Sequence, residues 1–246
     1  MPCFKLTVAY DGTGFVGWQK QARGTSIQGL LEDAVSALEG RRVTVTAAGR
    51  TDAGVHALAQ VVSVQLERFV DEATVVRATN ARLPAAIRVL DAREMPQGFH
   101  ARFRATRKMY RYRIWNTEIL SPFERGRAWH VPSPVLGVSA MDTAARLFEG
   151  RHDFSTFQAA GSDVQTAERE VLSSRVVRED PVVLFEITGN GFLRHMVRSI
   201  VGTLVEVGRG QRSIASVSEG LASCDRGQAG PTAPAEGLFL VCVEYE

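Results

Sequence analysis

Cysteine is scarce in this sequence, and the few cysteines present are far apart. Cys3, Cys224 and Cys242 include no C-x-x-C spacing, and their number is odd. Such a set argues against a disulfide framework and a zinc cluster, and it fits a reducing compartment. The five histidines show neither H-x-x-x-H nor H-E-x-x-H spacing, and none completes a Ser/His/Asp triad. We therefore expect no metal site.

Long apolar runs are also missing. No stretch approaches the about 18 apolar residues that a membrane helix requires. The first residues, MPCFKL, lead directly into an alternating strand pattern without the apolar core of a signal peptide. These absences predict a soluble cytoplasmic protein with no membrane partner.

An excess of charge of one sign is absent as well. The net charge of the 246 residues is only +2, so the total does not itself indicate a nucleic-acid partner. The apolar fraction of 45% is ordinary for a globular protein. The length suits one large domain or two small ones.

Hydrophobic periodicity predicts strands and helices in two similar sets. Each set mixes strands with about two helices, which favours an α+β fold over alternating βαβ units. We place the halves at 1–106 and 107–246 and expect a cleft where they meet. Strands are predicted over 4–10, 42–47, 61–66, 109–115, 174–178, 182–187 and 238–243, and helices over 27–38, 71–81, 139–148 and 192–207.

The run GRTDAGVH at 49–56 lies between two predicted strands and carries a carboxylate beside an arginine. Gly49 and Gly54 permit backbone angles that other residues resist. Asp52 is therefore predicted at a loop tip, where binding and catalytic residues concentrate. Taken alone, the loop favours an Asx turn, in which Asp52 only caps backbone amides; the other motifs of the chain shift the balance toward a functional role.

The segment from Phe99 to Arg113 contains six cations and no acid. Four aromatic residues are interleaved with these cations, a pattern typical of RNA contact through phosphates and stacked bases. The alternative is a solvated strand face with core tyrosines behind it. The predicted phosphate contacts are Arg102, Arg104, Arg107, Lys108, Arg111 and Arg113.

The predicted helix over 192–207 is apolar around more than half its circumference, so it should be largely buried. Arg198 lies at the edge of this apolar surface. It needs a carboxylate partner or a snorkelling route to water. Pairing with Asp52 would satisfy the arginine and keep the carboxylate ionised.

Several motifs together resemble the tRNA pseudouridine synthase A family. GRTDAGVH at 49–56 is similar to the family's signature loop, and YDGTGFVGWQKQ at 10–21 resembles its opening motif. The ordered set spans nearly the whole chain. It continues with SIQ at 26–28, NARLP at 80–84, FHARF at 99–103, YRY at 110–112, HMVR at 195–198 and AEGL at 235–238.

The resemblance implies an isomerase that converts uridine to pseudouridine at nucleotides 38–40 of the tRNA anticodon stem-loop. It implies no cofactor, because the reaction is an isomerisation. By this resemblance, Asp52 corresponds to the family's catalytic aspartate, and Tyr110 corresponds to its substrate-contacting tyrosine. Arg50 would help to extrude the base, Arg198 would pair with Asp52, and Leu238 would line the pocket.

The resemblance also implies two related α+β halves sharing a mainly antiparallel mixed sheet with a central basic cleft, in a homodimer that binds tRNA. Two other classes remain open from the residues alone. One is a non-catalytic RNA-binding protein. The other is a carboxylate-dependent nucleoside or glycoside hydrolase, although most glycosidases use two carboxylates.

Overall fold

The computed structural model describes residues 1–159 and 166–246. The chain divides into two compact units, Met1–Thr106 with Leu240–Glu246, and Arg107–Phe239. No helix of the described residues is long and apolar enough to cross a membrane. The strand pairings within each unit are mainly antiparallel, and helices accompany the strands in both, which confirms the predicted α+β class.

The first unit contains a sheet in the order β4-β1-β3-β10, with the short strand β2 paired to β3. Strand β1 lies antiparallel to both β3 and β4, and its buried residues Phe4, Leu6 and Val8 contribute to the core. The elements are β1 (Cys3–Tyr10), α1 (Ile27–Glu39), β2 (Thr46–Ala47), β3 (His56–Gln65), α2 (Glu72–Asn80) and β4 (Ile87–Met95), with β10 (Leu238–Tyr245) supplying its later residues.

The second unit contains a sheet in the order β5-β9-β8-β7, and β6 pairs in parallel with β5. Strand β9 is buried along most of its length, and α3 packs against β8 and α4. The elements are β5 (Ala105–Trp115), β6 (Trp129–His130), α3 (Val138–Arg146), β7 (Gly150–Asp153), β8 (Glu168–Glu179), β9 (Val182–Gly189), α4 (Met196–Gly208) and α5 (Ile214–Ser223).

Local sequence explains the helix that the prediction locates best. The Ser26 hydroxyl accepts a hydrogen bond from the Gly29 amide at 3.2 Å and caps the first turn of α1. Gly40 ends α1 in the left-handed region at φ +83°. The predicted range of 27–38 therefore differs from the observed helix by one residue.

Two of the predicted elements whose bounds differ from the structure have a local explanation. The segment 42–47 pairs as a strand only at Thr46–Ala47. Its alternation does reflect burial of Val43 and Val45, but their amides donate to the side chains of Ser36 and Glu32 on α1 instead of to a strand. The helix predicted from residue 192 begins at Met196, because His195 has φ +64° and interrupts a continuous helical backbone.

The closing strand belongs mostly to the first unit, whereas the predicted second half runs to residue 246. The Tyr245 hydroxyl donates to the Ala101 carbonyl at 2.8 Å, and its ring packs against Phe99 with centroids 5.3 Å apart. The Thr106 hydroxyl donates to the Glu244 carbonyl at 3.2 Å. These bonds place residues from Leu240 onward with the N-terminal segment.

Candidate active site

Asp52 lies in a short loop that leaves β2 after Ala47 and enters β3 at His56. Its side chain is half-buried, the Thr51 side chain before it is buried, and the Arg50 side chain is exposed. The Val55 amide donates to the Asp52 carbonyl at 3.2 Å, which closes a turn around the aspartate. The loop therefore presents Asp52 and Arg50 from a fixed turn at the end of a sheet strand.

Three groups from elsewhere in the first unit hold the loop by hydrogen bonds: the Tyr10 hydroxyl, the Trp18 backbone amide and the Gln60 side-chain amide. The hydroxyls of Thr51 and Tyr10 are hydrogen-bonded at 2.8 Å, and the Trp18 amide donates to the Thr51 carbonyl at 3.0 Å. The Gln60 side-chain amide donates to the Gly49 carbonyl at 2.9 Å. Burial raises the pKa of Tyr10 to about 12, so its hydroxyl stays protonated across the working pH range.

The backbone of the Gly12–Gly17 segment approaches the loop too closely for larger residues. A Cβ at Gly17, where φ is +102°, would lie 2.8 Å from the Thr51 carbonyl oxygen and 3.0 Å from the Ala53 nitrogen. A Cβ at Gly12 would overlap the Val55 carbonyl oxygen. Glycine at both positions therefore permits the close packing that holds the loop.

His56 has a structural role at the end of the same loop. Its ring is buried, and its Nδ1 accepts a hydrogen bond from the Gly12 amide at 3.0 Å. Asp11 Oδ1 lies 3.2 Å from the same nitrogen. The sequence assigned no support role to His56, Tyr10 or Trp18, although the opening and loop motifs contain all three. Each of these residues forms a hydrogen bond between the opening motif and the loop motif. No sequence pattern indicates these bonds, because they arise only in the tertiary structure.

Three predicted substrate-binding residues lie in the second unit. Tyr110 on β5 is buried and contacts Phe192 edge to face, with ring centroids 5.1 Å apart. Arg198 on α4 is half-buried and donates from Nε to the Ala233 carbonyl at 2.7 Å. Leu238 is buried at the first position of β10.

The segment that leads to Leu238 is tied to the same unit. The Ala233 amide donates to the Arg198 carbonyl at 3.1 Å, so Ala233 and Arg198 are joined twice. The Tyr112 hydroxyl donates to the Pro234 carbonyl at 2.7 Å. Burial raises the pKa of Tyr112, which favours this donor role. Tyr112 is fully buried and belongs to the core. This agrees, for Tyr112, with the alternative interpretation of the basic segment as a solvated strand face with core tyrosines behind it.

The sheet register brings an acid to the acid-free basic segment. Arg111 on β5 and Arg175 on β8 both lie directly opposite Glu186 on β9. Arg111 bonds to one carboxylate oxygen at 2.7 and 2.9 Å, and Arg175 bonds to the other at 2.6 and 3.0 Å. Burial raises the pKa of Glu186, but the hydrogen bonds and charges of the two arginines outweigh that effect and lower it overall. Glu186 therefore stays ionised between two guanidinium groups.

The remaining predicted phosphate contacts differ in exposure. Arg113 pairs with Glu124 at 2.6 Å, so Arg113, like Arg111, has a carboxylate partner within the protein, although the two partners differ. Arg102, Arg104 and Arg107 are exposed, and Lys108 is half-buried. Across residues 1–159 and 166–246, no group of three or more His, Cys, Asp or Glu side chains could hold a metal ion.

Comparison with known proteins gives consistent matches over the whole chain. The model of a family described as tRNA pseudouridine synthase matches residues 6–104 and 144–246. The chain is 46% identical to the tRNA pseudouridine synthase A of Moorella thermoacetica, over 100% of both chains. It is also 46% identical to that of Afipia carboxidovorans over 100% of both chains, and 43% identical to that of Rhodospirillum rubrum over 98% of this chain and 87% of the relative.

Proposed function

Because this chain belongs to the tRNA pseudouridine synthase family, whose members are isomerases acting on uridine in tRNA, we propose that Asp52 is its catalytic carboxylate. We further propose that the target uridines are nucleotides 38–40 of the anticodon stem-loop. The active form in this proposal is a homodimer that binds tRNA.

The reaction exchanges one glycosidic bond for another. The bond from uracil N1 to ribose C1′ breaks, the base turns, and a bond from C5 to C1′ forms. C5 loses its proton and N1 gains one, so atoms and electrons balance without an oxidant, reductant or cofactor. Attack on C1′, attack on C6 and removal of a ribose proton would each use an ionised carboxylate beside the sugar and base.

The observation that carries this proposal is the bracing of the Asp52 loop. An Asx turn requires only the aspartate and nearby amides. Here Tyr10, Trp18 and Gln60 hold the residues on the N-terminal side of Asp52. A carboxylate that must meet a reacting bond benefits from such a mount, because small misplacements cost rate steeply.

The other site residues receive separate roles in the proposal. The target base must leave the stem, at a cost of a few kcal/mol. Arg50, exposed beside Asp52, would occupy the vacated space. The Tyr110 ring, supported edge-on by Phe192, would stack on the uracil. Arg198 would supply the cationic partner that keeps Asp52 ionised, and Leu238 would form an apolar wall.

A direct test uses tRNA transcripts that carry tritium at uracil C5. We expect wild-type protein to release tritium and to form pseudouridine at positions 38–40, mapped by primer extension after chemical derivatisation. Matched transcripts with cytidine at these positions should release none.

Other results would contradict specific parts of the proposal. Pseudouridine formed only at other positions would refute the anticodon target. Binding without tritium release would indicate a non-catalytic RNA-binding protein. Release of free uracil would indicate a hydrolase.

A further inference from the structure

We propose that the turn around Phe103 is a second RNA contact, a stacking surface for one unpaired nucleobase, apart from the Asp52 loop. This Phe103 platform consists of His100, Arg102, Phe103 and Arg104. The inference rests on tRNA as the substrate in the proposed function, and it adds a position where the enzyme would hold an RNA base without modifying it.

The Phe103 ring is exposed but held in place. The residue is 77% exposed, and its ring stacks on that of His100 with centroids 4.3 Å apart and an interplanar angle of 27°. His100 Nδ1 accepts hydrogen bonds from the amides of Arg102 and Phe103 at 3.2 and 3.3 Å. The imidazole therefore fixes both the turn and the orientation of the aromatic ring.

The turn itself is anchored to the core of the first unit. Ala101 is fully buried in a cluster with Ala48 and Val61, and its amide donates to Ser63 Oγ at 3.2 Å. The Tyr245 hydroxyl donates to the Ala101 carbonyl at 2.8 Å. A base that stacks on Phe103 would thus meet a surface that is already ordered, which reduces the entropic cost of binding. Ala48 is the first residue of the loop that carries Asp52, so the two features share a support.

The surroundings of the ring match a nucleic-acid strand in charge. The Arg102 guanidinium carbon lies 5.8 Å from the Phe103 ring centroid. Arg104, the residue that follows Phe103, is exposed. His100 also lines a concavity of about 310 Å³ with Arg41, Arg42, Thr44 and Thr46. Cations that track a backbone beside an aromatic face are the usual elements of single-strand binding. None of the residues from Phe99 to Arg113 is acidic, so this surface attracts negative charge. An RNA strand, with one negative charge per phosphate, therefore fits it better than a protein partner that carries few acidic residues.

The chain contains a suitable control for an exposed phenylalanine. Phe69 is 89% exposed in the same unit, but it follows the oppositely charged pair Glu67 and Arg68. It therefore lacks the acid-free basic setting of Phe103. The Phe99 ring, by contrast, is partly buried and packs against Tyr245. Of these three phenylalanines, only Phe103 combines an exposed ring with an acid-free basic setting.

The experiment measures equilibrium binding of a fluorescent, unmodified full-length tRNA transcript to the full chain. Phe103→Leu retains an apolar side chain but removes the aromatic face. We expect its Kd to rise about 5- to 150-fold, the loss that one base–aromatic stack predicts. Phe103→Tyr should bind within about twofold of wild type, and Phe69→Ala should bind like wild type. The slope of log Kd against log salt should be the same for Phe103→Leu as for wild type, because no phosphate contact is lost.

Folding of each variant is checked by its Tm. Folded Phe103→Leu protein with wild-type affinity would overturn the inference, as would an equal loss of affinity in Phe103→Tyr or Phe69→Ala. Tritium release by the wild-type protein reports separately on the proposed function. Isomerisation without any dependence of affinity on Phe103 would refute only the platform. Aromatic-dependent tRNA binding without isomerisation would refute only the proposed chemistry.

Discussion

Gly17 illustrates how a residue without a side chain can determine the position of Asp52. Its φ of +102° is costly for any residue with a Cβ, and a Cβ would lie 2.8 Å from the Thr51 carbonyl oxygen. Gly14 offers a matched comparison in the same segment. Its φ is +79°, but nothing lies within 4 Å of the point that a Cβ would occupy.

We therefore predict different effects for the two alanine substitutions. Both should cost about 1–2 kcal/mol of stability through the left-handed backbone. Gly17→Ala should also lower kcat for pseudouridine formation at least tenfold, because the added carbon displaces the loop. Gly14→Ala should retain most of the wild-type kcat. Urea unfolding and single-turnover kinetics measure the two effects, and equal kcat values would show that Gly17 does not position Asp52.

At the residue scale, the sequence identifies charged side chains better than the contacts that hold them. Asp52 is noticeable because it lies between glycines and beside an arginine. The bond between the Tyr10 and Thr51 hydroxyls joins residues 41 positions apart, and no local pattern encodes such a pairing. The same limit applies to Glu186, whose two arginine partners become adjacent only through strand register.

Glu186 links three neighbouring strands of the second unit. Its carboxylate accepts bonds from Arg111 on β5 and Arg175 on β8. Glu168, on β8, provides a contrast, because it pairs with Arg151 where both side chains are more than half exposed. Exposed ion pairs contribute little to stability.

We predict that Glu186→Gln destabilises the protein by about 1–2 kcal/mol near neutral pH, since both arginines remain partly in water. The folded-state pKa of Glu186 is lowered, so its contribution is fully present above the ordinary glutamate pKa of about 4.3 and is lost as pH falls through the lowered value. The difference between wild type and Glu186→Gln should therefore shrink in strong acid. Urea unfolding over a pH series tests this, with Glu168→Gln expected to show almost no effect. A pH-independent difference would contradict the linkage.

The basic segment from Phe99 to Arg113 supplies a prediction about RNA binding. Six phosphate contacts would give a log–log salt slope of about −4 to −5. Arg111 and Arg113 already engage glutamates, so we expect a shallower slope for the wild-type protein. Arg102→Gln should reduce its magnitude by about 0.7–0.9, whereas Arg111→Gln should leave it unchanged. Fluorescence anisotropy with tRNA across a salt series measures the slopes. A wild-type slope of about −5 whose magnitude decreases in Arg111→Gln would contradict this prediction and would show that Arg111 contacts a phosphate.

Some elements could be predicted from sequence, and the others were hidden for physical reasons. Helix α1 has a serine cap, a terminal glycine and an apolar face, so each local signal agrees. Strand β4 was missed because IRVLDAREM carries charges at several positions, as suits the strand at the end of the sheet order. Helix α5 was missed because small and polar residues weaken its apolar periodicity.

At the scale of the whole molecule, the chain passes between its two units twice. It leaves the first unit after Thr106 and returns at Leu240. Asp52 and Arg50 belong to the first unit, and Tyr110, Arg198 and Leu238 to the second. Composition could not locate the second crossing, because the closing strand has no sequence feature that assigns it to either unit.

The central claim is that Asp52 performs the chemistry, and Asp52→Asn tests it most directly. The substitution preserves shape and removes the anionic oxygen, while Asp33→Asn on the exposed face of α1 controls for the exchange itself. With tritiated tRNA, we predict no pseudouridine from deamidation-free Asp52→Asn protein, tRNA affinity within several-fold of wild type, and full activity in Asp33→Asn. Substantial pseudouridine formation by folded Asp52→Asn protein would contradict the account.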